Sequence, residues 1–443
     1  MLNQYKQKNR SDKFFGIIMY TMLTYILLIT PILQLQMYIL GKVVIKGIHF
    51  NILLSLLIFI YIVCYISDKK KMVLDKIGII SILFGGYSFL AILYAKLRLG
   101  YSFSYLAYSL NSELFIFLTC LILLFPPIIK KSDIKNISIY VFFVFIANII
   151  ITFFQHSSNS LIYKFYNDNN GNVLLQTDEF TRETIRAIGT FSSGLKLGIF
   201  FCFTITILLT YLLYNFNKID NKKRMIMCSL IFLGIVVIYI SYTRNIYFLL
   251  CYIIIFLLGI KFLRGKINSM FIYIYPIIAS IMYFLGTVII IPIVFSRFTS
   301  SLFSPQNLLA RLNFWKHHIL EISEWSLFDK VFGKSIVQIS NPKAMIYGVK
   351  EVIFDNMYLN YFEFLGIIGF VVFLVFSYSI YMGLIKNAKG NYLVIAIAIF
   401  SSGLFFMGTL NNTEDIYEIL GVFLPAIVLR IYSEKAKFRD ENL

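Results

Sequence analysis

The sequence predicts an all-α, polytopic membrane protein of about twelve transmembrane helices with a large extracytoplasmic loop. Three observations predict it. Apolar residues make up 59% of the 443-residue chain and charged residues 14%, against about 45–50% and about 25% in soluble proteins. Apolar runs long enough to cross a bilayer, about 18 residues or more, recur along the whole length. Basic residues gather in alternate short connections, as they do where helices are oriented by the cytoplasmic face.

The apolar spans fall near 14–40, 50–67, 77–95, 110–128, 136–155, 188–214, 225–241, 246–262, 270–294, 357–384, 392–410 and 416–432. Residues 1–443 read as a single integral membrane domain with no internal repeat and no separate soluble domain. Lys6, Lys8, Arg10 and Lys13 precede the first span, and no small-residue cleavage site follows, so that span reads as uncleaved. An even number of spans puts both termini on one side. Lys69, Lys70 and Lys71, Lys130 and Lys131, Lys218 with Lys222, Lys223 and Arg224, Lys261 with Arg264 and Lys266, and Lys386 with Lys389 lie in the connections of that same side. The other side's short connections carry few basic residues. Positive-inside logic therefore places both termini in the cytoplasm.

A formal charge of +18 would suggest nucleic acid in a soluble protein. Here the charge orients spans, and with no basic–aromatic module in view no nucleic-acid partner is expected; the expected environment is the lipid bilayer. Cys64, Cys120, Cys202, Cys228 and Cys251 all lie inside apolar spans without a CxxC pair, and read as small lipid- or core-facing residues.

Two connections are long, 156–187 and 295–356, and both fall on the extracytoplasmic side. Connections above about 15 residues are usually functional or disordered. Within the second, Ser304 and Pro305 form a helix start. Leu308, Leu312, Trp315, Ile319 and Ile322 then recur at helical spacing, the stripe of an amphipathic helix on the membrane surface or over a cavity. His317 and His318 are expected on its wet side.

Arg182, Arg186, Arg244, Arg297 and Arg311 all map to this outer side, which positive-inside logic does not explain. One such arginine reads as a solvated charge or a headgroup partner. Five together point to an anion site, because the guanidinium fork matches phosphate bidentately. Lys196 lies within the sixth span, about 15 Å below Arg186 along a continuous helix, and fits a polar cavity entering from outside. Gly194 and Gly198 form a small-xxx-small pair suited to close helix packing. No His/Cys cluster, HExxH, Walker loop, GxSxG or GxGxxG is present, so no metal and no cofactor is expected, and neither is an ATP-driven pump or a serine hydrolase. Asp355 and Asn356 stand at the mouth of the tenth span, in FDNMYLNYFEFLGIIGF. Either residue there caps a helix; a carboxylate there also serves as a base, and Glu321, Glu324, Glu351, Glu414 and Asp415 are alternatives to it.

Three of these segments together resemble the superfamily of bacterial surface-polysaccharide polymerases and ligases, the Wzy-type O-antigen and capsule polymerases and the O-antigen ligases. RAIGTFSSGLKLGIFF (186–201) is similar to that family's Arg-x-x-Gly-Thr-Phe approach to a helix. SYTRNIYFLL (241–250) is similar to its Thr/Ser-Arg turn, here Thr243 and Arg244. ARLNFWKHHILEISEWSLFDKVFG (310–333) resembles its loop pattern of Arg, Trp and a later Gly, here Arg311, Trp315 and Gly333. The ligase-like pattern of His-Asn, nine residues, Gly, two residues, Gly is matched in spacing by Asp355-Asn356, Gly366 and Gly369, with aspartate in place of histidine. The resemblance covers about residues 180–370. It implies transfer of glycan from an undecaprenyl-pyrophosphate-linked oligosaccharide to a sugar hydroxyl outside the membrane, driven by the pyrophosphate leaving group. Arg182, Arg186, Arg244, Arg297, Arg311 and Lys196 would bind the pyrophosphate, and Asp355 with Asn356 would be catalytic. A chain-length regulator and a flippase are the further partners it suggests. A ligase of the same superfamily, which the aspartate disfavours, and a lipid-linked oligosaccharide flippase or transporter are the rival readings.

Overall fold

The computed structural model describes residues 10–40, 47–127, 131–158, 187–191, 193–263, 265–285, 305–336, 356–388, 390–408 and 418–440, with four two-residue strands between 165 and 185. It is a bundle of helices: α1 (Arg10–Leu40), α2 (Gly47–Ser67), α3 (Lys76–Leu99), α4 (Phe103–Ser112), α5 (Leu114–Leu124), α6 (Lys131–Ser157), α7 (Gly194–Asn215), α8 (Asn221–Ile240), α9 (Arg244–Phe262), α10 (Gly265–Leu285), α11 (Pro305–Glu324), α12 (Leu327–Phe332), α13 (Met357–Ala388), α14 (Tyr392–Met407) and α15 (Leu424–Asp440), the last preceded by a π-helical turn over Ile419–Phe423. The strands form two short antiparallel pairs, Phe165–Tyr166 with Val173–Leu174 and Phe180–Thr181 with Thr184–Ile185.

Each predicted span overlaps a described helix, and parts of the spans, 286–294 among them, lie outside the described residues. Among the described residues, eight helices are long and apolar enough to cross a membrane, nine if the pair α4–α5, bent by 60°, counts as one. α14 and the stretch Ile419–Ser433 are apolar but shorter. The bend falls at Glu113, where a charged residue interrupts the run. The sixth span starts later than predicted: residues 187–191 are not helical, and α7 begins at Gly194 behind the N-cap Ser193. The connection 295–356 is described only over 305–336 and at Asn356, and 156–187 only in fragments.

The outside of the bundle is greasy, as lipid requires. Leu56, Phe59 and Val63 of α2, Leu83 and Leu90 of α3, Phe143 and Ile150 of α6 and Phe232 of α8 are all exposed. Inside, aromatic rings set the spacing: Phe84 of α3 stacks on Phe376 of α13, Phe373 on Tyr361, and Phe203 of α7 meets Phe400 of α14 edge-on. Cys120 and Cys202 are buried, while Cys228 and Cys251 face outward.

Polar pairs pin the end of the bundle where α1 starts. Asp75 caps α3 by accepting from the Gly78 amide at 2.8 Å. The same carboxylate takes both arms of Arg430 from α15, at 2.6 and 2.9 Å. Asp68 accepts from the Ser11 hydroxyl at 2.6 Å, and Lys70 meets Asp12 at 2.8 Å. A bidentate fork of this kind leaves little of the buried Arg430 charge unpaired.

Candidate functional site

At the opposite end, α13 is built in two pieces. Gly366 sits at φ 66°, ψ −175°, and breaks the helix there. A break frees the carbonyls whose intrahelical donors it removes, and each must find another partner. The segment after α12 supplies two: the Lys334 amide donates to the Glu363 carbonyl at 2.9 Å and the Ser335 amide to Phe364 at 3.1 Å. The Tyr87 hydroxyl of α3 donates to Leu365 at 3.0 Å and lies 3.3 Å from the Val331 carbonyl. Gly333, itself at φ 78°, lies against the break so closely that a Cβ on it would come within 2.5 Å of the Gly366 nitrogen. Only glycine allows both backbones this conformation and this approach. The two glycines of the loop and helix motifs are thus one joint.

Asp329 fixes α12 beside that joint. Its carboxylate accepts from Ser326 at 2.7 Å and Tyr94 at 3.0 Å, and faces Arg98 at 3.2 Å. Arg98 also donates to the Tyr94 hydroxyl and lies over the Phe328 ring. Burial disfavours the charged carboxylate, but the bonds from Ser326 and Tyr94 and the charges of Arg98 and Lys334 outweigh it and hold Asp329 below the usual carboxylate range. Ser335, buried, donates to the Ala91 carbonyl at 2.8 Å.

α11 covers this region with a face the sequence indicated in part: Trp315 of the predicted stripe is buried and Leu312 packs against the core. Trp315, His318 and Trp325 are buried, while Ile319 is 57% exposed and Leu320 and Phe314 are also exposed. The expected wet position of His318 is therefore corrected: the ring is inward, and the apolar Ile319 is outward. The reason is the surroundings. Beside lipid an apolar face need not point at protein, and a polar side chain inside needs a partner. His318 has one: its Nδ1 stands 2.8 Å from Oε1 of Glu363, which is 2% exposed. The approach does not have the angle of a hydrogen bond. Tyr101, in the turn between α3 and α4, is near the same group. Burial first, then the neighbouring Tyr105 hydroxyl and the carboxylates of Asp329, Glu321 and Glu363, push its hydroxyl up to about 12.

The RAIGTF segment is also held by buried polar groups. Gln155 of α6 accepts from the amides of Ile188 and Gly189 at 3.0 and 2.9 Å, and donates to the Gly189 carbonyl at 3.2 Å. Asn148 accepts from the Thr190 amide at 2.7 Å and donates to the Thr190 hydroxyl at 3.0 Å. Gly189 has φ 58°, with Asn148 filling the space a side chain would need. This turn delivers α7 against the next motif: a Cβ on Gly194 would stand 2.9 Å from the Ser241 carbonyl and 3.1 Å from the Thr243 hydroxyl. Arg244 is the first residue of α9. One turn on, Phe248 meets the Tyr283 ring at 5.3 Å, and Tyr283 meets Phe406 at 4.4 Å. Arg311 interacts electrostatically with Tyr283, and Trp315 stacks on Phe284 at 6.4 Å. The Arg244 side chain, and Arg182, Arg186, Arg297 and Asp355 entirely, lie outside the described residues. Lys196 is half-buried in the first turn of α7, its amide capped by Ser193 at 3.2 Å; it starts a helix instead of lying deep in one, which corrects the continuous-helix expectation. Asn356 is the cap of α13, accepting from the Leu359 amide at 3.0 Å.

A third polar group lies one turn inside. The Tyr361 hydroxyl lies close to Glu113 at the α4–α5 bend and within electrostatic reach of Glu418. Both acids are buried, and Tyr361 and Glu418 line a small cavity with Met357, Phe405 and Gly421. Sequence reading missed Glu113, Glu363 and Glu418 by weighing the loops. Their signal was there: a lone ionisable residue inside an apolar run is costly and marks a polar interior.

No family model matches the chain, and no curated protein matches its sequence. What its residues can do rests on their own geometry. The bundle carries a joint of two glycines and a buried imidazole–carboxylate pair, with Arg311 on the covering helix α11 and Arg244 at the start of α9.

Proposed function

We propose that the chain is a polysaccharide polymerase of the Wzy type. It joins oligosaccharide repeat units, each carried on undecaprenyl pyrophosphate, into O-antigen or capsular polysaccharide at the outer face of the bacterial cytoplasmic membrane. One observation carries the reading. The segments quoted for the resemblance are far apart in sequence, yet Gly194 packs on Ser241 and Thr243, Gly333 packs on Gly366, and Arg311 lies within electrostatic reach of Tyr283, whose ring meets Phe248 of α9.

In this reading both termini are cytoplasmic and the α11 end is outside. Arg182, Arg186, Arg244, Arg297, Arg311 and Lys196 hold the donor pyrophosphate and stabilise its charge as it leaves. Asp355, beside the cap Asn356, anchors the acceptor or takes its proton. The leaving group supplies the driving force, so neither ATP nor a metal is required. A flippase delivering units and a regulator of chain length are its natural partners.

The test is deletion of the gene followed by a gel of surface polysaccharide and analysis of the lipid-linked fraction. Single repeat units left on the lipid are expected. Full-length polymer left unattached would make the protein a ligase, and an unchanged ladder would remove the reading. A second reading, a transporter of lipid-linked sugar, draws on the buried Glu113–Tyr361–Glu418 group, since ionisable residues inside a bundle often mark an ion path. It expects units trapped on the cytoplasmic leaflet instead.

A further inference from the structure

We propose that the Tyr283 hydroxyl, set beside Arg311, donates a hydrogen bond to a phosphate oxygen of the lipid-linked pyrophosphate. The identity of that lipid rests on the polymerase reading; Tyr283 adds to the arginines a neutral donor that no motif of the sequence marks.

Tyr283 stands in the last turn of α10. Among the described residues of that helix it alone is buried, at 8% exposed, while Ile281, Met282, Phe284 and Leu285 around it are exposed. Its burial comes from two rings, Phe248 of α9 at 5.3 Å and Phe406 of α14 at 4.4 Å. Neither offers an acceptor, and the hydroxyl has no hydrogen-bond partner among the described residues. The next tyrosines of the same aromatic cluster are provided for. The Tyr252 hydroxyl donates to the Ser402 hydroxyl at 2.9 Å, and the Tyr275 hydroxyl to the Tyr252 carbonyl at 3.2 Å. Buried donors are nearly always satisfied, because one left unmade has lost its water without return. Phenylalanine would fill the same space without that cost. The Tyr283 hydroxyl therefore waits for an acceptor that arrives from outside the chain.

Its surroundings select the acceptor. Arg311 of α11 lies within electrostatic reach. The packing agrees: Trp315, one turn after Arg311, stacks on Phe284, next in sequence to Tyr283, at 6.4 Å. Arg311 has further interactions of its own. Here it is the field of its charge that matters, and a guanidinium with five N–H groups serves more than one acceptor. A phenol donor beside a cation, between rings that accept nothing, suits an anionic oxygen, to which a hydrogen bond is about twice as strong as to a neutral one. The exposed Ile277, Ile278, Ile281 and Met282 continue from Tyr283 along α10, a surface for hydrocarbon. A pyrophosphate on a polyprenyl chain meets both demands, with its oxygens at Tyr283 and its tail along α10.

The experiment measures binding to the purified full chain in detergent. Undecaprenyl pyrophosphate is the probe, and undecaprenol, inorganic pyrophosphate and phosphatidylglycerol are the comparisons. Wild type is expected to bind the probe more tightly than any of the three. Tyr283→Phe should weaken the probe by about 10–100-fold, the loss of one hydrogen bond to a charged group, and leave undecaprenol within about twofold. Without ligand, Tyr283→Phe should melt no lower than wild type, since the hydroxyl it removes holds nothing. Tyr275→Phe on the same helix is the counterpart. Its hydroxyl bonds the Tyr252 backbone, so that variant should melt lower and bind the probe normally.

A loss of less than about tenfold in Tyr283→Phe would overturn the assignment. So would a Tyr283→Phe protein that melts lower or does not reach the membrane, because its hydroxyl then bonds within the protein. Inorganic pyrophosphate bound as tightly as the probe would make the ligand a soluble anion, and phosphatidylglycerol bound as tightly would make it any anionic headgroup; either result overturns the lipid-pyrophosphate assignment. Binding is read without turnover, so the two readings fail separately. Polymer made in liposomes with probe binding unchanged in Tyr283→Phe removes this donor and leaves the polymerase. Probe binding that depends on Tyr283, with no polymer made, upholds the donor and removes the polymerase.

Discussion

The amide nitrogen of Gly366 and the α-carbon of Gly333 leave no room for a side chain between them, and both residues hold positive φ. Through this contact the covering helices α11 and α12 are anchored on a membrane helix. Alanine at either position would meet backbone, which cannot move aside as a side chain can. Positive-φ strain costs about 1–3 kcal/mol for a non-glycine residue, and overpacking adds about 1–3 kcal/mol. Gly333→Ala and Gly366→Ala are therefore expected to lower the melting temperature in detergent substantially. Gly86→Ala, in α3 with nothing within 4 Å of its would-be Cβ, should change stability by no more than about 1 kcal/mol, in the stabilising direction.

The spacing of Gly366 and Gly369 after Asn356 was legible in the sequence; the reason for it was not. A glycine pattern states where backbone must come close, and only the fold states which backbone. The long helices were legible because apolar length alone defines them. The inner face of α11 was legible only in part: Trp315 and Leu312 turn in as their spacing implies, but Ile319 turns out and His318 turns in. Asn148 and Gln155 looked like polar residues scattered in an apolar span, and their role appeared only with the 187–191 turn that they bind.

That turn gives a second expectation. Gln155 satisfies two buried amides and one carbonyl, and Asn148 an amide and a hydroxyl. Gln155→Leu keeps the size and leaves three buried groups unsatisfied, at about 1–3 kcal/mol each. Thermal unfolding should show a loss of several kcal/mol, and Asn148→Leu a loss of the same order. A change under about 0.5 kcal/mol in either would mean that water reaches this turn.

Asp329 carries a pH expectation with a definite sign. Its folded pKa is depressed, so its stabilising contribution is present in full above its unfolded value of about 3.9 and is lost as pH falls through the folded value. Between pH 5 and 8 the contribution is constant. Any acid limb of activity in that range must come from another group. Asp329→Asn should destabilise the α12 region at neutral pH by roughly 1–3 kcal/mol, the range for hydrogen bonds to a charged group. Limited proteolysis of the 305–336 segment should show it. The half-exposed Arg98 contributes least to this, so Arg98→Ala should be the milder change.

The arginines are tested by lysine. Arg311→Lys and Arg244→Lys keep the charge and lose the fork. If the fork holds pyrophosphate, each should reduce polymer far more than Arg224→Lys at the opposite end of the bundle. Asp355→Asn separates capping from proton or acceptor chemistry, since asparagine caps as well as aspartate. Near-normal polymer from that variant would leave Asp355 with a structural role alone.

The most direct measurement places purified protein in liposomes with lipid-linked repeat units taken from the deletion strain, without ATP, and follows both glycan length and leaflet. The expected result is a ladder of unit multiples with one undecaprenyl pyrophosphate released for each bond formed. Units that change leaflet while keeping their length would contradict a polymerase and identify a transporter.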